Sequence, residues 1–167
     1  MKKIKYLVVA LVLGIVFLGS TRSYAADSAN SSSGKAYIPM FYTSSADKCL
    51  YDIANITDNA ISVTVTMYAY DGTLVTDDGS KTTGKITTSS NVSDYNDANT
   101  TSTLSFTIGA HCSAQFYINN STSSSFGYGL ISWSQNSSVV QGLVAQGSYY
   151  NSSNSRFAII INGGMPF

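Results

Sequence analysis

From Ile61 to Tyr70 the chain alternates. Ile61, Val63, Val65, Met67 and Ala69 are apolar, and Ser62, Thr64, Thr66, Tyr68 and Tyr70 stand between them. A period of two sends one set to each side of a pleated ribbon, so the segment predicts a strand with one buried and one wet face. Leu104, Phe106 and Ile108 repeat the pattern, as do Cys112, Ala114, Phe116 and Ile118. Asp71-Gly72 predicts a tight two-residue turn that folds "TLVT" back on "YAY". By contrast "GLISW", "SVVQGLVA" and "FAIII" are apolar on consecutive positions, which suits strands covered on both faces or central in a sheet. Pro39 inside "AYIPMFY" removes a ladder donor and predicts an edge strand or a bend between sheets.

Together with "KCLYDIAN", "GTLVT", "STLSFTIG" and "CSAQFYIN", these runs are separated by clusters of Gly, Asn, Asp and Ser. No segment carries a helical period long enough to compete. The spacing predicts an all-β domain, an antiparallel two-sheet β-sandwich of about seven to nine strands. Between Asp77 and Thr103 the chain turns almost wholly polar, "DDGSKTTGKITTSSNVSDYNDANTT". That length predicts a solvated insertion, in which Ile86 and Val92 are candidates to pin a short extra hairpin.

The N-terminus changes the picture. Lys2, Lys3 and Lys5 precede the apolar run "YLVVALVLGIVFLG", and Ser23 and Ala25 place small side chains ahead of a cleavage point. This is the pattern of a secretory signal peptide over residues 1–25, its apolar part shorter than the ~20 residues of a spanning helix. Residues 26–35, "ADSANSSSGK", read as a flexible polar leader, and residues 36–167 as one sandwich domain. The expectation is a secreted or extracytoplasmic protein, periplasmic or at the cell surface, with no membrane insertion after cleavage.

Removing the signal also changes the charge. Five bases remain, Lys35, Lys48, Lys81, Lys85 and Arg156, against nine Asp and no Glu, so the mature chain carries a net −4 with His111 neutral. So few bases give no phosphate-tracking surface, and nucleic-acid binding is disfavoured. The lack of Glu and the abundance of Thr, Val, Ile and Tyr fit pleated structure.

Candidate chemistry is sparse. Cys49 and Cys112 form an even pair in an exported chain and predict a disulfide. Closing about 63 residues would constrain the unfolded chain by roughly 4 kcal/mol. The alternative is two core thiols that never meet. His111 beside Cys112 suggests catalysis, but strand neighbours face opposite ways. One His and no Glu leave no evident zinc site or triad. Asp94, Asn96 and Asp97, with Asp71, Asp77, Asp78 and Asn99 nearby, offer the oxygen ligands calcium takes, yet the same residues serve turns, and no metal or cofactor is expected. Twelve Tyr and Trp133 stand out. Tyr68 and Tyr70, on the polar face of their strand, are candidate sugar-stacking or interface rings, but cross-strand pairing is the favoured explanation, since each ring has that structural use without any ligand. The chain holds eight Asn-x-Ser/Thr sequons, beginning at Asn30 and Asn55, which the abundance of Asn, Ser and Thr explains.

Three stretches, "YIPMFYTSSADKCLYDIANITDNAISVTVTMYAYDGT", "STLSFTIGAHCSAQFYI" and "YGLISWSQNSSVVQGLVAQG", resemble small secreted bacterial β-sandwich domains of immunoglobulin-like type. Such domains share no catalytic residues. The resemblance implies a non-catalytic surface, envelope or matrix module that works by contact with an extracellular protein or within a surface assembly. A carbohydrate-binding module using exposed aromatic rings is the second expectation, and a small secreted hydrolase built around His111 the third.

Overall fold

The computed structural model describes residues 31–75, 86–90, 92–96, 103–119, 125–151, 153 and 156–167. The expected signal peptide and the first half of the leader lie outside the described residues. Among the described residues ten strands run in chain order: β1 (Ser32–Thr43), β2 (Asp47–Asn55), β3 (Ile61–Ala69), β4 (Ile86–Ser90), β5 (Ser93–Asn96), β6 (Thr103–Ile108), β7 (Ser113–Asn119), β8 (Ser125–Gln135), β9 (Leu143–Asn151) and β10 (Arg156–Ile160). They form two five-stranded sheets, ordered β1-β8-β3-β6-β5 and β10-β9-β2-β7-β4. Every pairing is antiparallel.

The two layers follow from the connections. Only β5–β6 and β9–β10 stay within a sheet, and every other link crosses to the opposite one. The apolar alternates of the long strands β2, β3, β6, β7, β8 and β9 meet in one central layer. Ile61, Val63, Val65 and Met67 are buried there, as the alternation predicts, with Leu104, Phe106, Ile108, Phe116, Ile118, Ile131 and Trp133. β8 and β9, read from consecutive apolar residues, are interior strands with one open face, while β10 is an edge and its Ile160 is exposed. The run "SVVQGLVA" is divided: Val140 is exposed ahead of β9.

Three local readings change. β1 begins at Ser32, inside the expected leader, because Ser32 to Lys35 pair their backbone with Gln135 to Ser132 of β8. Gly34 permits this, since any Cβ there would overlap the Trp133 indole. The turn after β3 spans three residues, Tyr70 to Gly72. Ala69 accepts from the Gly72 amide at 2.9 Å and donates to Thr73 at 2.8 Å, and only Gly72 has positive φ, at 83°. That is a type I turn closed by a left-handed glycine, a common hairpin solution. "TLVT" does fold back, through a bridge from Tyr68 to Leu74. Finally, the described parts of the insertion do not pair with each other: β4 joins the edge of the second sheet beside β7, and β5 joins the edge of the first beside β6.

Pro39 behaves as its ring dictates. β1 is the edge of its sheet, and its register with β8 slips between Ile38 and Phe41. The bulge turns the Met40 carbonyl toward the core, where the Tyr51 hydroxyl donates to it at 2.9 Å. Tyr51 is fully buried against Phe116, ring centroids 4.9 Å apart, and burial pushes its phenol far above the ordinary range.

Candidate functional site

β1 and β10 are the edges of their sheets on one flank of the sandwich, and they approach each other there. The seam between them is an aromatic groove of about 400 Å³, lined by Met40, Phe41 and Tyr42 of β1, Phe126 and Gly127 of β8, Tyr149 of β9 and Phe157 of β10. Phe157 lies opposite Tyr149 in register, on the inward face that also carries the buried Ile159, yet it is 46% exposed. The bent edge of β1 leaves this end of the core uncovered. Phe126 is likewise 53% exposed.

The walls are held firmly. Tyr149 stacks on Phe157 with centroids 4.6 Å apart and meets Tyr42 at a tilt, 6.2 Å away. The Tyr149 hydroxyl donates to Asp47 at 2.6 Å, and Ser44 donates to the other Asp47 oxygen. These bonds, Ser44 first and then Tyr149, lower the Asp47 carboxyl from its ordinary value, and the same Asp47 contact raises the Tyr149 phenol. On the far side of Tyr42 its amide and carbonyl both lie 3.3 Å from the Cys49 sulfur, which ties β1 to β2.

The expected Cys49–Cys112 disulfide is not formed. Both thiols are free, Cys49 buried and Cys112 exposed. Cys112 faces Asn55, whose amide donates to its carbonyl at 2.9 Å, while Cys49 faces Ile118 at the other end of the same strand pair. Six strand residues separate the two positions, roughly 20 Å of rise. A disulfide requires Cα atoms within about 7 Å. Cys49 lies in β2, but Cys112 lies just ahead of β7 and is exposed rather than on the core face that the alternation predicts, and the register keeps the two apart.

His111 lies in the β6–β7 turn with φ of 54°, so the strand rule of opposite faces does not govern it. Its Nε2 is 2.9 Å from Asp58, and both side chains are largely in solvent. Tyr68 and Tyr70 form the cross-strand stacks that pairing predicts, with Tyr128 at 5.0 Å and with Phe126 at 4.8 Å. One face of each ring is thereby covered. Because Phe126 also lines the groove, the Tyr70 stack extends the groove onto the outer face of the first sheet as one apolar strip.

Of the calcium candidates, Asp94 is exposed in β5 with φ of 50°, Asn96 ends that strand, and Asp97, Asp77, Asp78 and Asn99 lie outside the described residues. Asp71 accepts from the amide and hydroxyl of Thr73, the local bonding expected of a turn. No group of three or more His, Cys, Asp or Glu comes together among the described residues.

The sequon at Asn55 proves to be a buried corner. Its amide nitrogen donates to the carbonyls of Asn59 (2.8 Å), Ile108 (3.2 Å) and Gly109 (2.9 Å), and its oxygen accepts from the Thr57 amide (2.9 Å) and hydroxyl (2.8 Å). A glycan on that nitrogen is incompatible with this fold.

The groove residues Met40, Tyr42 and Phe157 drew no attention in the sequence. Pro39 was the available signal, since it marks the bend that opens the seam, but nothing in the chain pairs β1 with β10.

No family model matches the chain. No curated protein matches it either. Among solved structures, the chain has a loose likeness to a protein from work described as "Bacillus endospore appendages form a novel family of disulfide-linked pili". The two are 10% identical with a TM-score of 0.22, over 65% of this chain and 89% of that one. At that level the likeness carries no argument about fold or function.

Proposed function

We propose that this chain is a non-catalytic, secreted β-sandwich module that works by contact at the cell surface, as a subunit of an extracellular assembly. The supporting observation is the open seam: β1 and β10 are sheet edges flanking a groove in which Phe126 and Phe157 are exposed, and while Met40 and Tyr42 of β1 turn backbone groups to Tyr51 and Cys49, β10 keeps an open edge. An exposed edge presents amide and carbonyl groups to a further strand, and the neighbouring rings supply the apolar contact that makes such pairing stable. The signal-like N-terminus supports export. No helix among the described residues is long and apolar enough to cross a membrane. The sugar-platform alternative at Tyr68 and Tyr70 is less well supported, since each ring already stacks on a partner.

The reading is tested by sedimentation velocity over a wide concentration range, comparing the wild type with Phe157→Asp and Met40→Asp. Both positions are partly exposed, so the variants retain the fold, which a far-ultraviolet spectrum verifies. Concentration-dependent association that both substitutions abolish is expected. A wild type that stays monomeric throughout, or variants that associate equally well, would overturn it.

A further inference from the structure

Two open sheets leave four edge strands among the described residues, and these edges are unequally defended. β4 and β5 read "ITTSS" and "SDYN", short and polar, and each meets its neighbour in an irregular register. β1 is sealed where it borders the seam. Pro39 has no N–H, the Met40 carbonyl accepts from the Tyr51 hydroxyl at 2.9 Å, and the amide and carbonyl of Tyr42 both lie 3.3 Å from the Cys49 sulfur. β10 is different. Arg156, Phe157, Ala158 and Ile160 are all exposed, and among the described residues the main chain of this strand bonds only to β9.

The same strand is apolar on both faces. Phe157 and Ile159 point inward, Ala158 and Ile160 outward, and the one charge, Arg156, lays its guanidinium over the Tyr150 ring of its own sheet. A strand that covers this edge must itself be apolar on both faces, which β4 and β5 are not and which the sealed, bulged β1 does not offer. β10 meets the requirement itself.

We propose that β10 pairs antiparallel with β10 of a second copy across a two-fold axis, so that two five-stranded sheets become one continuous sheet. This pairing rests on the assembly reading above and names its edge and its partner. Opposite residues must share a face, so the register that engages the whole strand sets Ala158 against its own copy, Phe157 against Ile159 and Arg156 against Ile160. A slip by one residue would set inward Phe157 against outward Ala158. In the two-fold register the two Arg156 residues stand four residues and one strand apart, about 14 Å, beyond the screening length, whereas parallel pairing would bring them to about 5 Å. The area also suffices. On this flank Phe157, Ile160, Met40 and Phe126 are 46%, 64%, 37% and 53% exposed. At about 150–250 Å² for a large side chain they leave roughly 400 Å² uncovered per copy, and with the main chain of both edges the pair buries about 1,000 Å², the size at which specific association begins.

The test is disulfide trapping in a Cys112→Ser background, beside sedimentation velocity of the wild type. Across the two-fold axis the Cβ atoms of position 158 lie about 5 Å apart and those of position 160 about 14 Å. Mild oxidation should therefore link Ala158→Cys into a covalent dimer about tenfold faster or more than Ile160→Cys, because Cα atoms beyond about 7 Å are not bridged. Arg156→Cys mixed with Ile160→Cys should link, although neither does so alone. These positions are exposed, and the emission of the buried Trp133 reports that the variants are folded. In the unmodified chain, hydrogen exchange of the β10 amides should slow as concentration passes through the association range. A wild type that stays monomeric overturns the assembly reading and this pairing together. A wild type that associates while Ala158→Cys links no faster than Ile160→Cys, or while exchange in β10 is unchanged, overturns this pairing alone.

Discussion

Replacing Asn55 with alanine tests how the loops at one end of the sandwich are held. Asn55 is 2% exposed and joins the β2–β3 loop to the end of β6 through five contacts. In Asn55→Ala the Thr57 hydroxyl keeps Asn59 and Gln135 as partners, so little is lost there. The Thr57 amide loses its side-chain acceptor, and a buried N–H left alone costs about 1–3 kcal/mol. The carbonyls of Asn59, Ile108 and Gly109 lose a shared donor, which adds roughly 1 kcal/mol because β-ladder and solvent contacts compensate in part. A total near 3 kcal/mol follows, equivalent to about 10 °C in Tm for a domain of this size. The assay is urea and thermal unfolding followed by the single tryptophan, Trp133, which is 3% exposed. Asn55→Asp is the informative companion. It keeps the acceptor for Thr57 but aims a carboxylate at three carbonyls, so it should be at least as unstable at neutral pH and recover in part on acidification, when the acid becomes a donor. A loss within about 1 kcal/mol for Asn55→Ala, or an Asn55→Asp variant as stable as wild type at pH 7, would refute the reasoning.

Further outcomes follow from the same geometry. Native alkylation should label Cys112 alone, with Cys49 reacting only after unfolding; protection of both thiols that is relieved by reductant would restore the disulfide. Burial raises the Cys49 thiol above its ordinary value of 9.0, ahead of the opposing bond from Tyr42. With the folded value above the unfolded one, stability is fully present below about pH 9 and is lost as pH climbs toward the folded value. Urea midpoints measured from pH 7 to pH 10 should therefore fall only in the alkaline half, and less steeply in Cys49→Val. Gly127→Ala should cost more than about 2 kcal/mol or prevent folding, because its Cβ would overlap the Tyr68 carbonyl oxygen of the neighbouring strand; a variant melting with the wild type would show that β8 and β3 can separate without cost.

Much of the architecture was readable from residue order, for identifiable reasons. The alternation in β3, β6 and β7 declares which side chains face the core, since pleat geometry allows no other arrangement. Pro39 announces an edge because its missing N–H bars it from a ladder interior, and Gly72 announces a turn because it tolerates positive φ. Apolar density misled at β10, where Phe157, Ile159 and Ile160 suggest an interior strand. Density reports what a strand would bury in company and is silent about whether a neighbour arrives. The polar composition of Ser32 to Lys35 likewise hid a strand, because backbone pairing with β8 needs no apolar side chain.

What residue order alone established is local: strand identity, facing, turns, and the scarcity of catalytic parts. Which strands become neighbours was settled by packing two sheets together, and that choice governs everything proposed about contact. It separates Cys49 from Cys112 along one strand pair and leaves β1 and β10 side by side with an aromatic groove between them. The physical reason is that dihedral preference and side-chain periodicity act over a few residues. Register and adjacency arise from contacts between segments far apart in the chain, whose energies no single segment carries.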